Sequence, residues 1–188
     1  MTLLAPHPFG VIVDKTASTV ERIARYVALL GGVVLIGVAL VTLISVTGRA
    51  LMDFGLSPLR GQFELVQAGT AFVVTAFLPW AQLRRAHASV AVFTDFLSSR
   101  ANAVIDLVGD ILLFGIAVLV TWRQFYGVLD KLAYGETTFL LRFPLWWAYA
   151  GAMVGLVAWV VVGFWCTLNS AVILFSDRFD KKISGSPR

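Results

Sequence analysis

Two carboxylates four residues apart, Asp106 and Asp110, stand in a stretch from 101 to 122 that carries no other charge. That spacing puts both on one face of a helix. Paired acids in an apolar segment are what proton or cation relays, and polar contacts to a partner helix, are built from. The plainer alternative puts them in the first turns of a helix near the cytoplasm, where the helix dipole favours carboxylates and Arg84, Arg85 or Arg100 could pair with them. The residues alone leave both open. A second cluster, Arg84-Arg85-x-His87, ends an apolar run of nineteen residues, 65 to 83, that has no charge. A soluble helix would interleave its charges along one face, whereas a run that withholds them and then delivers them together marks a membrane boundary.

Other chemistry finds no residues to carry it. The two histidines are His7, near the chain start, and His87, beyond the end of that run. A bis-histidine haem site needs its ligands within spans, and intramembrane serine proteolysis needs a base at membrane depth. The single Cys166 excludes an internal disulfide and a CxxC metal site. No catalytic residue, cofactor or metal is therefore expected. The net charge of +4 would suggest nucleic acid only on a basic soluble face. With 59% hydrophobic and 14% charged residues, and a mean hydropathy of +0.84, the chain has no such face.

The elements that must position these residues are membrane helices. A crossing needs about twenty residues, and four segments qualify, about 26–48, 65–83, 101–122 and 146–170. They predict an all-α integral membrane protein with a transmembrane domain over 19–176, between an N-terminal segment, 1–18, and a tail, 177–188. The first segment lacks the form of a secretory signal. Ser18-x-x-Glu21 has capping-box form and predicts a helix start near Thr19. Alternate sides of the membrane collect ten and five Lys and Arg residues, so both termini and the Arg84-Arg85 loop are expected in the cytoplasm. FPLWWAY, with Trp146 and Trp147, reads as an interfacial aromatic belt before the last helix turns inward near Tyr149. Ala28-x-x-x-Gly32 and Gly151-x-x-x-Gly155 have the spacing that lets helices approach closely, either within this chain or against a partner. With no proline near the middle of a span and no internal repeat, the pattern fits an auxiliary subunit better than a carrier acting alone.

The order of these features resembles the small membrane subunit, DctQ-like, of tripartite ATP-independent periplasmic (TRAP) transporters. The resemblance covers most of residues 20–175. It rests on Arg49 after span one, Ser57-Pro58-Leu59, Glu64 opening span two, Arg84-Arg85-x-His87 after it, and Phe143-Pro144-Leu145-Trp146-Trp147-x-Tyr149 leading into the last span. It departs at Ala50, where an aromatic is common, and in having Gln62 and a single Glu64 where two acids are often found. The resemblance implies a scaffold in the bacterial inner membrane that binds neither substrate nor ion. The scaffold would support a large TRAP membrane subunit on a separate chain, which takes an organic anion such as a carboxylate from a periplasmic binding protein and moves it with a cation, usually sodium. Arg49 and Glu64 could then pair with each other, with the partner or with headgroups. Arg84, Arg85 and His87 would meet anionic lipid or the partner. A membrane anchor of a redox enzyme is the alternative, since histidine placement argues against haem but not quinone. A small self-assembling channel would need Asp106 and Asp110 to face a pore.

Overall fold

A computed structural model describes residues 8–55, 57–84 and 99–184. It holds four long helices, α1 (Pro8–Ala50), α2 (Gln62–Leu83), α3 (Ser99–Tyr134) and α4 (Leu145–Ser184), with a 3₁₀ turn at Met52–Phe54. Among the described residues the sole extended pairing is an isolated bridge between Thr137 and Pro144. Each long helix contains a segment long and apolar enough to cross a membrane. Even α2, at 22 residues, spans about 33 Å at 1.5 Å per residue.

The helix start expected near Thr19 is not observed. α1 runs through Ser18 and Glu21 from Pro8, a residue whose fixed φ suits a first helical turn. The reason is tertiary. Val20 and Ala24 are buried against Val162, with Trp80, Leu83, Trp165 and Cys166 packed around them, so this part of α1 gains more by continuing along its neighbours than by ending at a cap. At the other end of the sequence, α4 begins at Leu145, directly after Pro144 and four residues before Tyr149.

The helices stand in a row rather than a closed ring. α4 packs along both α2 and α3, and α2 packs along both α4 and α1, giving the order α1, α2, α4, α3; α1 also meets α4 near Val20 and Ala24. Small residues set the spacing. A Cβ on Gly31 would lie 2.9 Å from the Ala76 methyl, and one on Gly69 would overlap Val38. The tightest seam joins α2 and α4. Pro79, buried within α2, has no N–H to give to the carbonyl four residues earlier, that of Thr75. Gly155 lies against that same carbonyl, and a Cβ there would sit 2.5 Å from the Thr75 carbonyl carbon and 2.6 Å from its oxygen. The proline loosens the ladder where the bare glycine comes in.

Among the described residues the buried apolar side chains are mostly small: Ala24, Ala76, Ala117, Ala152 and Ala158 with Val20, Val73 and Val162, and Leu156 and Trp159 the largest. Leu29, Val33, Ile36 and Leu43 of α1, and Leu112 and Leu119 of α3, are all more than half exposed. In water such faces would be untenable; in lipid they meet a solvent as apolar as themselves.

Candidate functional site

The end of the row that carries the α1–α2 and α3–α4 connections is tied together by Glu64. Gly61, in the left-handed region at φ +76°, precedes α2, and a Cβ on it would lie 2.5 Å from the Leu141 γ-carbon. One turn on, Glu64 projects toward the α3–α4 connection. Its two carboxylate oxygens accept the backbone N–H groups of Leu140, at 2.6 Å, and Leu141, at 2.9 Å. The connection is itself folded. The N–H of Thr138 donates to the Phe143 carbonyl, the N–H of Phe143 to the Thr138 hydroxyl, and the N–H of Leu145 to the Glu136 carbonyl. Lys131 pairs with Glu136 at 2.7 Å, and Arg142 turns the chain at φ +51°. Charge-assisted bonds from one acid to two consecutive amides fix the connection to α2, 76 residues away in sequence.

This arrangement changes one expectation. Glu64 does not pair with Arg49, because both oxygens face the α3–α4 connection, and Arg49 stands exposed in the last turn of α1. The Ser57-Pro58 turn has a local role as well, since its backbone lies on Gly48, where a Cβ would come 2.8 Å from the Ser57 carbonyl oxygen. At the tip of the α3–α4 connection Phe139 is 93% exposed.

Below Glu64, a lateral groove of about 680 Å³ opens between α2, α3 and α4, with Gln67, Thr70, Gln124, Thr138 and Tyr149 in its wall. Gln124 spans the α3–α4 side by donating to the Tyr149 carbonyl at 3.1 Å. Among the described residues, the only charged one lining the groove is Glu64. An organic anion taken from water would need a guanidinium or ammonium partner there, and the lining offers none.

Asp110 lies deeper in the α3–α4 joint. It is buried, and Ser170 of α4 donates to its Oδ2 at 2.5 Å while the Thr167 hydroxyl donates to its main-chain carbonyl at 3.2 Å. Asp106, one turn earlier, is half-buried. The explanation by the helix dipole does not fit this placement, because α3 begins at Ser99, leaving Asp106 and Asp110 about two and three turns inside the helix while the dipole acts mainly in the first turn. Asp110 is instead held across the helix joint.

The remaining candidates are spread over the molecule. Trp146 and Trp147 open α4 in an edge-to-face ladder, 5.8 Å apart, with Phe143 at 6.1 Å from Trp147. Of the glycine pair in α4, Gly155 meets the α2 backbone, whereas a Cβ on Gly151 would make only ordinary contact with Phe72 at 3.8 Å. At the opposite end of the row the Arg84 guanidinium lies over the Trp80 ring, 4.6 Å from its centroid. Arg85 and His87 lie outside the described residues. The contacts made by Gln124 and by the Thr75 carbonyl were missed from sequence; Pro79 was the available signal for the second, and the first has no local one.

The model of the family described as tripartite ATP-independent periplasmic transporters, DctQ component, matches residues 38–171. The chain belongs to the DctQ family. No curated protein and no solved structure matches it. The matched stretch runs from the middle of α1 into α4 and contains Glu64, its α3–α4 partners, Asp110 and Ser170. As a DctQ protein it is a multi-pass membrane component of a transporter and not an enzyme.

Proposed function

We propose that this DctQ subunit is the fixed scaffold of a TRAP transporter in the bacterial inner membrane, with both termini and the Arg84-Arg85 loop in the cytoplasm. The carrying observation is the open row of helices: the α1 and α3 faces bury little within the chain, and the groove below Glu64 has no cation among its described lining residues to bind an anion. The large membrane subunit, on a separate polypeptide, supplies the substrate and ion sites and packs against part of this apolar surface, enlarging the immobile part of the complex against which its moving domain works. The periplasmic binding protein delivers an organic anion, such as a carboxylate, and a cation gradient, sodium in the usual arrangement, drives uptake.

In this orientation the end fastened by Glu64 faces the periplasm. The exposed tip at Phe139 and Leu140 is then available to the docked binding protein. The partner-contact roles of Arg49, Arg85, His87, Trp146 and Trp147 are part of the same proposal, as are lipid contacts at the membrane surface. Reconstituting the large subunit into proteoliposomes with and without this chain tests it. Sodium-dependent, binding-protein-dependent uptake is expected only with both chains present, and uptake by the large subunit alone at the full rate would overturn the proposal.

A further inference from the structure

On the outer side of the α1–α2 pair lies a second groove, of about 500 Å³, lined by Arg25, Ala28, Gly32, Ile36, Phe77 and Trp80 among others. Its floor is open because Gly32 has nothing within 4 Å of where a Cβ would be, so the Ala28-x-x-x-Gly32 spacing is not consumed by packing inside the chain. Apart from the Arg25 head, the described residues lining it are apolar or aromatic. At one end, where Arg25 and Trp80 line the groove, two guanidiniums lie over the Trp80 ring, that of Arg84 at 4.6 Å from the centroid and that of Arg25 at 6.0 Å.

We infer that this groove holds one anionic phospholipid, with the phosphodiester between Arg25 and Arg84 and an acyl chain lying over Ala28 and Gly32 toward Ile36. This goes beyond the transporter assignment and does not depend on it. The dimensions fit. From Arg25 to Ile36 the helix rises about 16 Å, close to half of the roughly 30 Å hydrocarbon core and therefore to one leaflet's acyl length. The charge fits as well. Arg84 makes no ion pair among the described residues, and Arg25 gives a single nitrogen to Glu21, at 3.2 Å, out of the five N–H donors of a guanidinium. Exposed Arg22 adds positive charge on the preceding turn of α1. Trp80 holds the guanidiniums by cation–π attraction at the level where apolar groove gives way to headgroup. A transmembrane helix seated in the groove would need its own anion at that level, whereas an anionic phospholipid carries one by construction.

The test is native mass spectrometry of the full chain, released from nanodiscs containing equal amounts of phosphatidylglycerol and phosphatidylcholine with matched acyl chains, in phosphate-free buffer. The wild type is expected to retain one phosphatidylglycerol in preference to phosphatidylcholine. Arg25→Gln and Arg84→Gln are each expected to lower that preference about fivefold, while Arg60→Gln, at the far end of the row, leaves it unchanged. Gly32→Leu keeps both charges and fills the floor, so it is expected to abolish retention of either lipid; it also serves should the arginine variants fail to assemble. Equal retention of the two lipids, an equal loss with Arg60→Gln, or undiminished retention in Gly32→Leu would each overturn the inference. So would crosslinking of Gly32→Cys to a protein partner, in place of lipid, in the isolated native complex.

Discussion

α4 and α1 are both long apolar helices, yet they use their apolar residues in opposite ways. Within α4's membrane-length segment, 39% of the most apolar window is buried inside the protein, against 6% for α1. α4 is an inner member of the row and meets its neighbours through Ala152, Gly155, Leu156, Trp159 and Val162. α1 meets α2 at Gly31 and Val38 and α4 at Val20 and Ala24, and turns Leu29, Val33, Ile36 and Leu43 outward. The difference teaches that hydrophobicity here measures contact with lipid or a partner, whereas small residues measure contact within the chain. The helix that organises the fold is therefore distinguished by where its glycines and alanines fall, because van der Waals packing, and not expulsion of water, joins helices in a bilayer.

The comparison breaks most clearly at two glycines, the closed Gly155 and the open Gly32. Gly155→Leu forces a side chain into the α2 backbone and is expected to cost about 3 kcal/mol or more, or to prevent assembly. Gly32→Leu points into the outer groove and is expected to change stability by less than about 0.5 kcal/mol. Thermal unfolding of the purified variants in detergent checks both, and equal destabilisation would remove the distinction between inner and outer helices. Gly151→Ala sharpens it within one motif, since its Cβ meets only ordinary contact, and it is expected to be neutral. Gly61→Ala, at a left-handed position against Leu141, is expected to cost about 1–2 kcal/mol, measured in the same way.

A local effect comes next. Glu64→Ala removes both acceptors for the Leu140 and Leu141 amides, and hydrogen exchange at these two positions is expected to accelerate by about tenfold or more, with α1 unaffected. Glu64→Gln keeps one carbonyl acceptor and is expected to fall between. Unchanged exchange in Glu64→Ala would show that the α3–α4 connection holds itself. The smallest expected change is for Ser170→Ala, which removes the donor to Asp110. Hydrogen bonds between membrane helices average about 0.6 kcal/mol, and thermal unfolding should register a shift of that order. A loss several times larger would mean that Asp110 depends on Ser170 for far more than one bond.

The four helices could be read from sequence because charge-free runs of bilayer length have few other uses. The expected links among charged side chains fared differently. Arg49 and Glu64 flank one loop and invite pairing, yet Glu64 serves amides far along the chain, a choice set by how α2 and α4 seat against each other. Ser18-x-x-Glu21 is a good local cap that loses to burial of Val20 and Ala24. Asp106 and Asp110 suggested the helix dipole because they follow the start of an apolar run, yet α3 begins at Ser99 and Asp110 is held by Ser170, 60 residues on, a contact with no local signal. The two small-residue motifs look alike on paper. Pro79 and the Thr75 carbonyl it leaves unpaired in the ladder decide that Gly155 packs inward, and nothing comparable lies opposite Gly32.

The most direct test of the scaffold assignment is to purify the tagged chain in mild detergent from its native membranes and identify by mass spectrometry what travels with it in fixed ratio. The account predicts one much larger polytopic membrane protein in stoichiometric amount. Recovery of a soluble redox enzyme, or of copies of this chain alone, would contradict it.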